Sequence, residues 1–325
     1  MKKIICLLLL AMTTIFFTGC QNETMPAESE TDEQAGQSIT FTDDLGREVT
    51  VNHPQRVAAL LGSYADIWYL AGGTICASAD DAWEDFDLPL TEEVINLGMT
   101  KDLSLEKLLE ADPDFVLASS NTKGNVEWMD TLEAAGIPTA YFGVSDFDDY
   151  LRVLNYCTDI TGRKDLYQKN GLDLQAKIEE VVEKSKERIE AAKSAPTVLS
   201  LRASSTYIRA KNSQDNVLGE MLKALGCINI ADQDDSLLEN LSIEHILKQN
   251  PDYIFIVQQG DDEEGTRTNM NHFIADNPAW SELTAVKENR VYFMEKPLYA
   301  LKPNNRWAEA YEKLEGILAN EQKQD

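Results

Sequence analysis

Ser104-Leu105-Glu106-Lys107-Leu108-Leu109-Glu110-Ala111-Asp112-Pro113-Asp114-Phe115 has a diverged second copy in this chain. Ser242-Ile243-Glu244-His245-Ile246-Leu247-Lys248-Gln249-Asn250-Pro251-Asp252-Tyr253 repeats its Ser, Glu, Leu, Pro and Asp at a constant offset of 138. Further on, Leu132, Ala134, Tyr141 and Phe142 are echoed by Leu283, Ala285, Tyr292 and Phe293 at an offset of 151. Two copies of one unit, the second with an insertion of roughly 13 residues, account for both offsets. In each copy a serine stands where it can cap a short helix, and the glutamate two residues on lies in the first turn, where the helix dipole favours a carboxylate.

The flanking pattern alternates short β-rich runs with amphipathic segments. Strands are expected at 57–61, 75–79, 115–118 and 139–142, with helices at 64–70, 104–111, 126–135 and 147–160 between and after them. After residue 196 the same alternation resumes, with strands at 197–201, 208–211, 253–257 and 291–294 and helices at 215–225, 243–249 and 304–319. Such alternation indicates α/β lobes with mainly parallel central sheets. Residues 164–194 hold no strand candidate. Leu174, Ile178, Val181, Val182 and Ile189 recur there at helical spacing among Glu and Lys, as expected of one long amphipathic helix. The organisation is therefore a lobe at 39–163, a connecting helix at 164–195 and a lobe at 196–325, with a ligand cleft between the lobes.

The N-terminus adds an address. Lys2 and Lys3 precede an apolar run at 4–17, which is shorter than the roughly 20 residues needed to span a bilayer and reads as a signal peptide covering 1–19. Phe17-Thr18-Gly19-Cys20 resembles a bacterial lipobox, although Phe17 stands where leucine is usual. The resemblance implies acylation of Cys20 and a lipid anchor at the membrane. The stretch after it, rich in Glu, Ser, Thr, Gln and Ala, suits a flexible linker over 20–38. Cys76, Cys157 and Cys227 are widely spaced and lack metal-ligand spacing, so they read as small core residues rather than a disulfide framework.

A net charge of −27 repels phosphate backbones and makes nucleic acid an unsuitable partner. No Gly-x-Ser-x-Gly elbow, P-loop, His-Glu-x-x-His or Cys-x-x-Cys occurs, so an enzyme is not expected, nor a resident cofactor. His53, His245 and His272 are too scattered to suggest a protein metal site.

The acids are also unevenly spread. Three runs contain none: 191–214, 265–275 and 296–308. They carry Arg202, Tyr207, Arg209, Lys211, Arg267, Tyr299 and Lys302, which become candidates for the ligand cleft together with Tyr64 and Trp83 of the first lobe. Guanidinium groups suit multidentate anions, and aromatic rings suit flat apolar ligand surfaces. Each also has a plainer reading, as an exposed loop cation or a packing ring.

The Arg56-Val57…Leu60 opening, the two Ser-x-Glu…Pro-Asp repeats, the helical spine and Ala285-Val286-Lys287…Arg290-Val291-Tyr292 resemble the ABC-importer binding proteins for ferric siderophores, haem and cobalamin. The likeness covers roughly residues 39–320. It implies two lobes closing on a small molecule over a stiff helix, and a monomer that docks on a dimeric permease with a cytoplasmic ATPase. It places one docking glutamate on each lobe, at Glu106 and Glu244. A ferric siderophore is the ligand favoured by the cations. Haem, with Tyr207, Tyr299 or His272 as axial ligand, and a corrinoid remain alternatives, as does a surface receptor or adhesin on the same scaffold.

Overall fold

The computed structural model describes residues 38–233 and 235–319, all within one compact unit spanning Gln37–Asp325. The expected signal peptide, Cys20 and nearly all of the linker lie outside the described residues. An antiparallel hairpin of β1 (Ile39–Thr42) and β2 (Glu48–Val51), absent from the sequence-based expectation, opens the described chain. It is followed by β3 (Val57–Ala59), β4 (Ile75–Ser78), β5 (Ile95–Asn96), β6 (Phe115–Ser119) and β7 (Thr139–Phe142). These five form a parallel sheet of order β5-β4-β3-β6-β7. The second sheet holds β8 (Thr197–Ala203), β9 (Ile208–Lys211), β10 (Ile228–Asn229), β11 (Tyr253–Gln258) and β12 (Val291–Met294). Its order is β10-β8-β11-β12, all parallel, with β9 turned back antiparallel on β8.

The duplicated motif has the same structural task in both sheets. Every residue of β6 is buried, and so is β11 up to Val257, as a central parallel strand covered on both faces requires. The aspartate just before each strand pins the neighbouring strand. Asp114 accepts from the backbone N–H groups of Gln55 and Arg56, at 2.7 and 2.9 Å, just ahead of β3. Asp252 accepts from the N–H and hydroxyl of Thr197, the first residue of β8, both at 2.8 Å. The helix before each strand also starts as expected, on Ser104 and Ser242. Ser104 caps with its side chain, accepting from the Lys107 N–H at 3.2 Å, whereas Ser242 makes no such side-chain bond.

The connecting segment departs from the single regular helix expected. Lys164–Tyr167 is a helical turn, Gln168–Leu172 widens into a π-turn, and only Asp173–Ala192 is regular α-helix. The wide turn is bought by first-lobe contacts. The Asn170 amide donates to the Leu70 carbonyl at 2.8 Å, and the Asn170 carbonyl accepts from the Tyr150 hydroxyl at 2.7 Å. A Cβ on Gly171 would lie 2.7 Å from the terminal methyl of Leu151, so a larger residue would have to push that side chain aside.

The last helix, Trp307–Leu318, runs along this spine and is fastened by a two-pronged pair in which Arg188 donates to Glu315 at 2.7 and 3.1 Å. Its start reaches the first lobe. Asn304 donates to the Ser63 carbonyl at 3.0 Å and to Asp66 at 2.8 Å, and the fully buried Trp307 packs edge-on against Phe147. Replacing Trp307 by Ala should therefore cost about 3–5 kcal/mol, the range for a large core ring. Met99→Ala, on a residue 50% exposed, should cost within about 0.5 kcal/mol. Urea denaturation followed by circular dichroism measures both, and equal losses would contradict the packing described.

Candidate functional site

Parallel strands deliver their carboxyl ends to one side of each sheet, which is where ligands of open α/β sheets bind. Here a cleft of about 240 Å³ lies between segments that follow those ends. Leu61, Asp81, Asp85 and Thr100 come from the first lobe, and Gln259, Asp261, Lys296 and Lys302 from the second.

Asp81 opens the short helix Asp81–Glu84 after β4 and accepts from the Gly62 N–H at 2.8 Å. A Cβ on Gly62 would sit 2.5 Å from the Ala82 nitrogen, so glycine is what lets the two helix starts meet. Burial pushes the Asp81 carboxyl up to about 6, with the nearby Asp85 and Asp80 adding to it. Lys302 rests its ammonium over the Tyr64 ring, 5.2 Å from the centroid, and burial pushes it down to about 8. Lys296 crosses the cleft, paired with Asp85 of the first lobe at 2.7 Å and with Asp261 of its own lobe.

The hairpin of β8 and β9 borders this region, since the Ala203 carbonyl accepts from the N–H of Gln259. Arg202 lies directly opposite Arg209, and Ser200 opposite Lys211, so the three cations share one face of the hairpin. None of them forms an ion pair among the described residues. Burial lowers Arg202 from its ordinary value, and Lys211 is lowered by burial and by Arg202 and Arg209. Arg209 stands over the Tyr207 ring at 5.1 Å.

Of the residues singled out from the sequence, the structure thus brings together Arg202, Tyr207, Arg209 and Lys211, and sets Lys302 in the cleft. It removes others. Tyr64 is buried in the first-lobe core and donates to the Phe142 carbonyl at 2.5 Å, so its part is to seat Lys302. Tyr299 is likewise buried and donates to the Ala310 carbonyl at 3.0 Å. Arg267 is taken up by Glu263 at 2.9 Å and by the Phe293 ring. Trp83 packs against the core beside the cleft and is not among its lining residues. Glu106 and Glu244 are both exposed, each in the first turn of its helix, and neither forms an ion pair among the described residues. Cys76, Cys157 and Cys227 are free, with only Cys157 fully buried. Sequence reasoning missed Asp81, Asp85 and Asp261 because it sought cations. The signal available was the acidic stretch following β4, at a strand's carboxyl end.

Two α/β lobes on a helical spine, with a cleft at their strand ends, define a bilobal solute-binding protein. The family model described as periplasmic binding protein matches residues 57–298, and the chain belongs to that family. Among curated proteins it is 28% identical over 308 residues to the iron-uptake system-binding protein of Bacillus subtilis, covering 90% of each chain. It is 25% identical over 304 residues to the Fe(3+)-citrate-binding protein YfmC of the same organism, covering 90% of this chain and 89% of that one. Among solved structures, Staphylococcus aureus SirA complexed with staphyloferrin B superposes with a TM-score of 0.67 at 18% identity, over 86% of this chain and 98% of that one.

The Asp81 environment yields a pH signature. Its folded value near 6 exceeds the ordinary 3.8, so ionisation destabilises the fold, and the cost appears as pH rises through that window. Asp81→Asn keeps an acceptor for the Gly62 N–H and should stabilise the protein by about 2 kcal/mol at pH 7. The gain should fade as the pH falls from about 6 toward 4. Urea titrations at the two ends of that window test this, and a gain independent of pH would contradict it.

Proposed function

We propose that this chain is the extracytoplasmic substrate-binding component of an ABC importer, that it captures an anionic ferric siderophore between its lobes, and that it docks on a permease dimer through Glu106 and Glu244. The observation that carries the ligand class is the set of three cations, Arg202, Arg209 and Lys211, on one face of a hairpin beside the cleft, none in an ion pair among the described residues. In a chain of net charge −27, the part-buried Arg202 and Lys211, standing beside the exposed Arg209, are costly without acids unless an anion completes them. Guanidinium groups bind carboxylates and similar oxygen anions through two parallel donors, and a ferric siderophore brings its own iron ligands, so no protein ligand to the metal is required. Fe(3+)-citrate and staphyloferrin B, named for two of the similar proteins, and iron uptake, named for a third, support this class. Of the three axial candidates for haem, Tyr299 is withdrawn, because its hydroxyl donates to the Ala310 carbonyl.

The docking assignment rests on the duplicated first-turn glutamates. They occupy matching positions ahead of an interior strand of each sheet, exposed and without ion pairs among the described residues, as arginine-bearing partners would require. A lipid on Cys20, with the linker behind it, would keep the protein close to such a permease. Among the described residues no helix is long and apolar enough to cross a membrane.

A thermal-shift panel of ferric siderophores, haem and corrinoids tests the ligand class. A siderophore present at about 100 times its dissociation constant should add ~2.7 kcal/mol to stability. Arg202→Ala should weaken that binding by about tenfold or more, the loss of one charge-assisted contact. A response to haem alone would overturn the reading. For docking, reversing Glu106 and Glu244 together to Lys should leave ligand binding intact and abolish uptake in cells. Unchanged uptake would overturn it.

A further inference from the structure

Among the described residues, two charged groups in the inter-lobe cleft form no ion pair, and they have opposite sign. Asp81, from the first lobe, holds only the Gly62 N–H and forms no ion pair among the described residues. Lys302, from the second lobe, forms neither an ion pair nor a side-chain hydrogen bond there, and has only the Tyr64 ring beneath it. Both line the same cleft of about 240 Å³, where they form no ion pair with each other and interact only as longer-range charges of opposite sign. The other charges in that cleft are accounted for, since Asp85 and Asp261 share Lys296.

We infer that Asp81 and Lys302 form a dipolar subsite for a zwitterionic part of the ligand, with an ammonium on Asp81 and a carboxylate on Lys302. The inference rests on reading the cleft as the ligand site. A half-buried charge without a partner destabilises a protein unless something outside the chain completes it. Each group bears the mark of that cost, Asp81 being pushed up and Lys302 pushed down by burial. A ligand group with one positive and one negative end satisfies both at once and adds no net charge to the cleft. Because the two residues come from different lobes, such a group also bridges them, and its binding favours the closed arrangement. A purely anionic ligand would satisfy Lys302 and be repelled by Asp81. The ligand is therefore a ferric chelate that also carries an aminocarboxylate end, with its anionic remainder directed to the Arg202 hairpin.

The subsite can be probed without iron, which separates it from the siderophore reading. γ-Aminobutyrate, butyrate and n-butylammonium are titrated at millimolar concentrations into the mature protein, followed by amide chemical shifts and by melting temperature. γ-Aminobutyrate should bind about tenfold tighter than either singly charged probe, equivalent to ~1.4 kcal/mol. Asp81→Asn should reduce it to the affinity of butyrate, and Lys302→Met to that of n-butylammonium. Butyrate binding as well as γ-aminobutyrate, no binding of γ-aminobutyrate, or variants that leave its affinity unchanged would each overturn the subsite. Should a variant fail to fold, the comparison of the three probes on the parent protein still decides. A failed subsite alongside a successful siderophore panel leaves the importer reading standing, so the two failures are distinguishable.

Discussion

The seating of the last helix on the spine governs how the two lobes face each other. Arg188 and Glu315 are both mostly removed from solvent, with side chains 20% and 11% exposed, and their two parallel hydrogen bonds fix the helix along Asp173–Ala192. From that anchorage the chain runs back to Trp307 and Asn304, which reach Phe147, Ser63 and Asp66 of the first lobe. The segment just before, carrying Lys302 and Lys296, is thereby laid across the cleft. Move the helix by a turn and the cleft loses Lys296 and Lys302.

Given that arrangement, the electrostatics of the cleft divide into two kinds. Lys296 is consumed by carboxylates from both lobes, a contact that holds the lobes together without assistance. Arg202, Lys211, Lys302 and Asp81 are part-buried and form no ion pair among the described residues. Stability alone would pair such groups or expose them, because burial penalises the charged form. Their gathering in one region of the molecule is what supports the binding site proposed above, since stability is given up there for a surface that something else could complement.

Much of the fold was legible in the sequence because it follows from local rules. Phe115–Ser119 and Tyr253–Gln258 are apolar and bounded by Pro-Asp and polar turns, and they form central strands as that pattern requires. The π-turn at Gln168–Leu172 was not legible, because it answers to hydrogen bonds from Leu70 and Tyr150, residues distant in the chain. The hairpin cations were found because the chain withholds acids from the whole stretch around them. The placement of Tyr64 and Tyr299 was not legible, because a tyrosine in a helix looks the same whether its hydroxyl meets a ligand or, as here, a carbonyl of the fold.

By itself, the sequence determined a duplicated α/β protein with a helical spine, since periodicity, the Pro-Asp repeats and the run of helical spacing at 164–194 are all properties of neighbouring residues. It also determined that cations concentrate in the second lobe. Tertiary structure alone decided which charges remain unpaired. Asp85 and Lys296 are far apart in the chain yet only 2.7 Å apart in space, and their pairing leaves Asp81 and Lys302 unmatched. Whether a charge is neutralised depends on separations of a few ångströms between distant segments, and one-dimensional order holds no information at that scale.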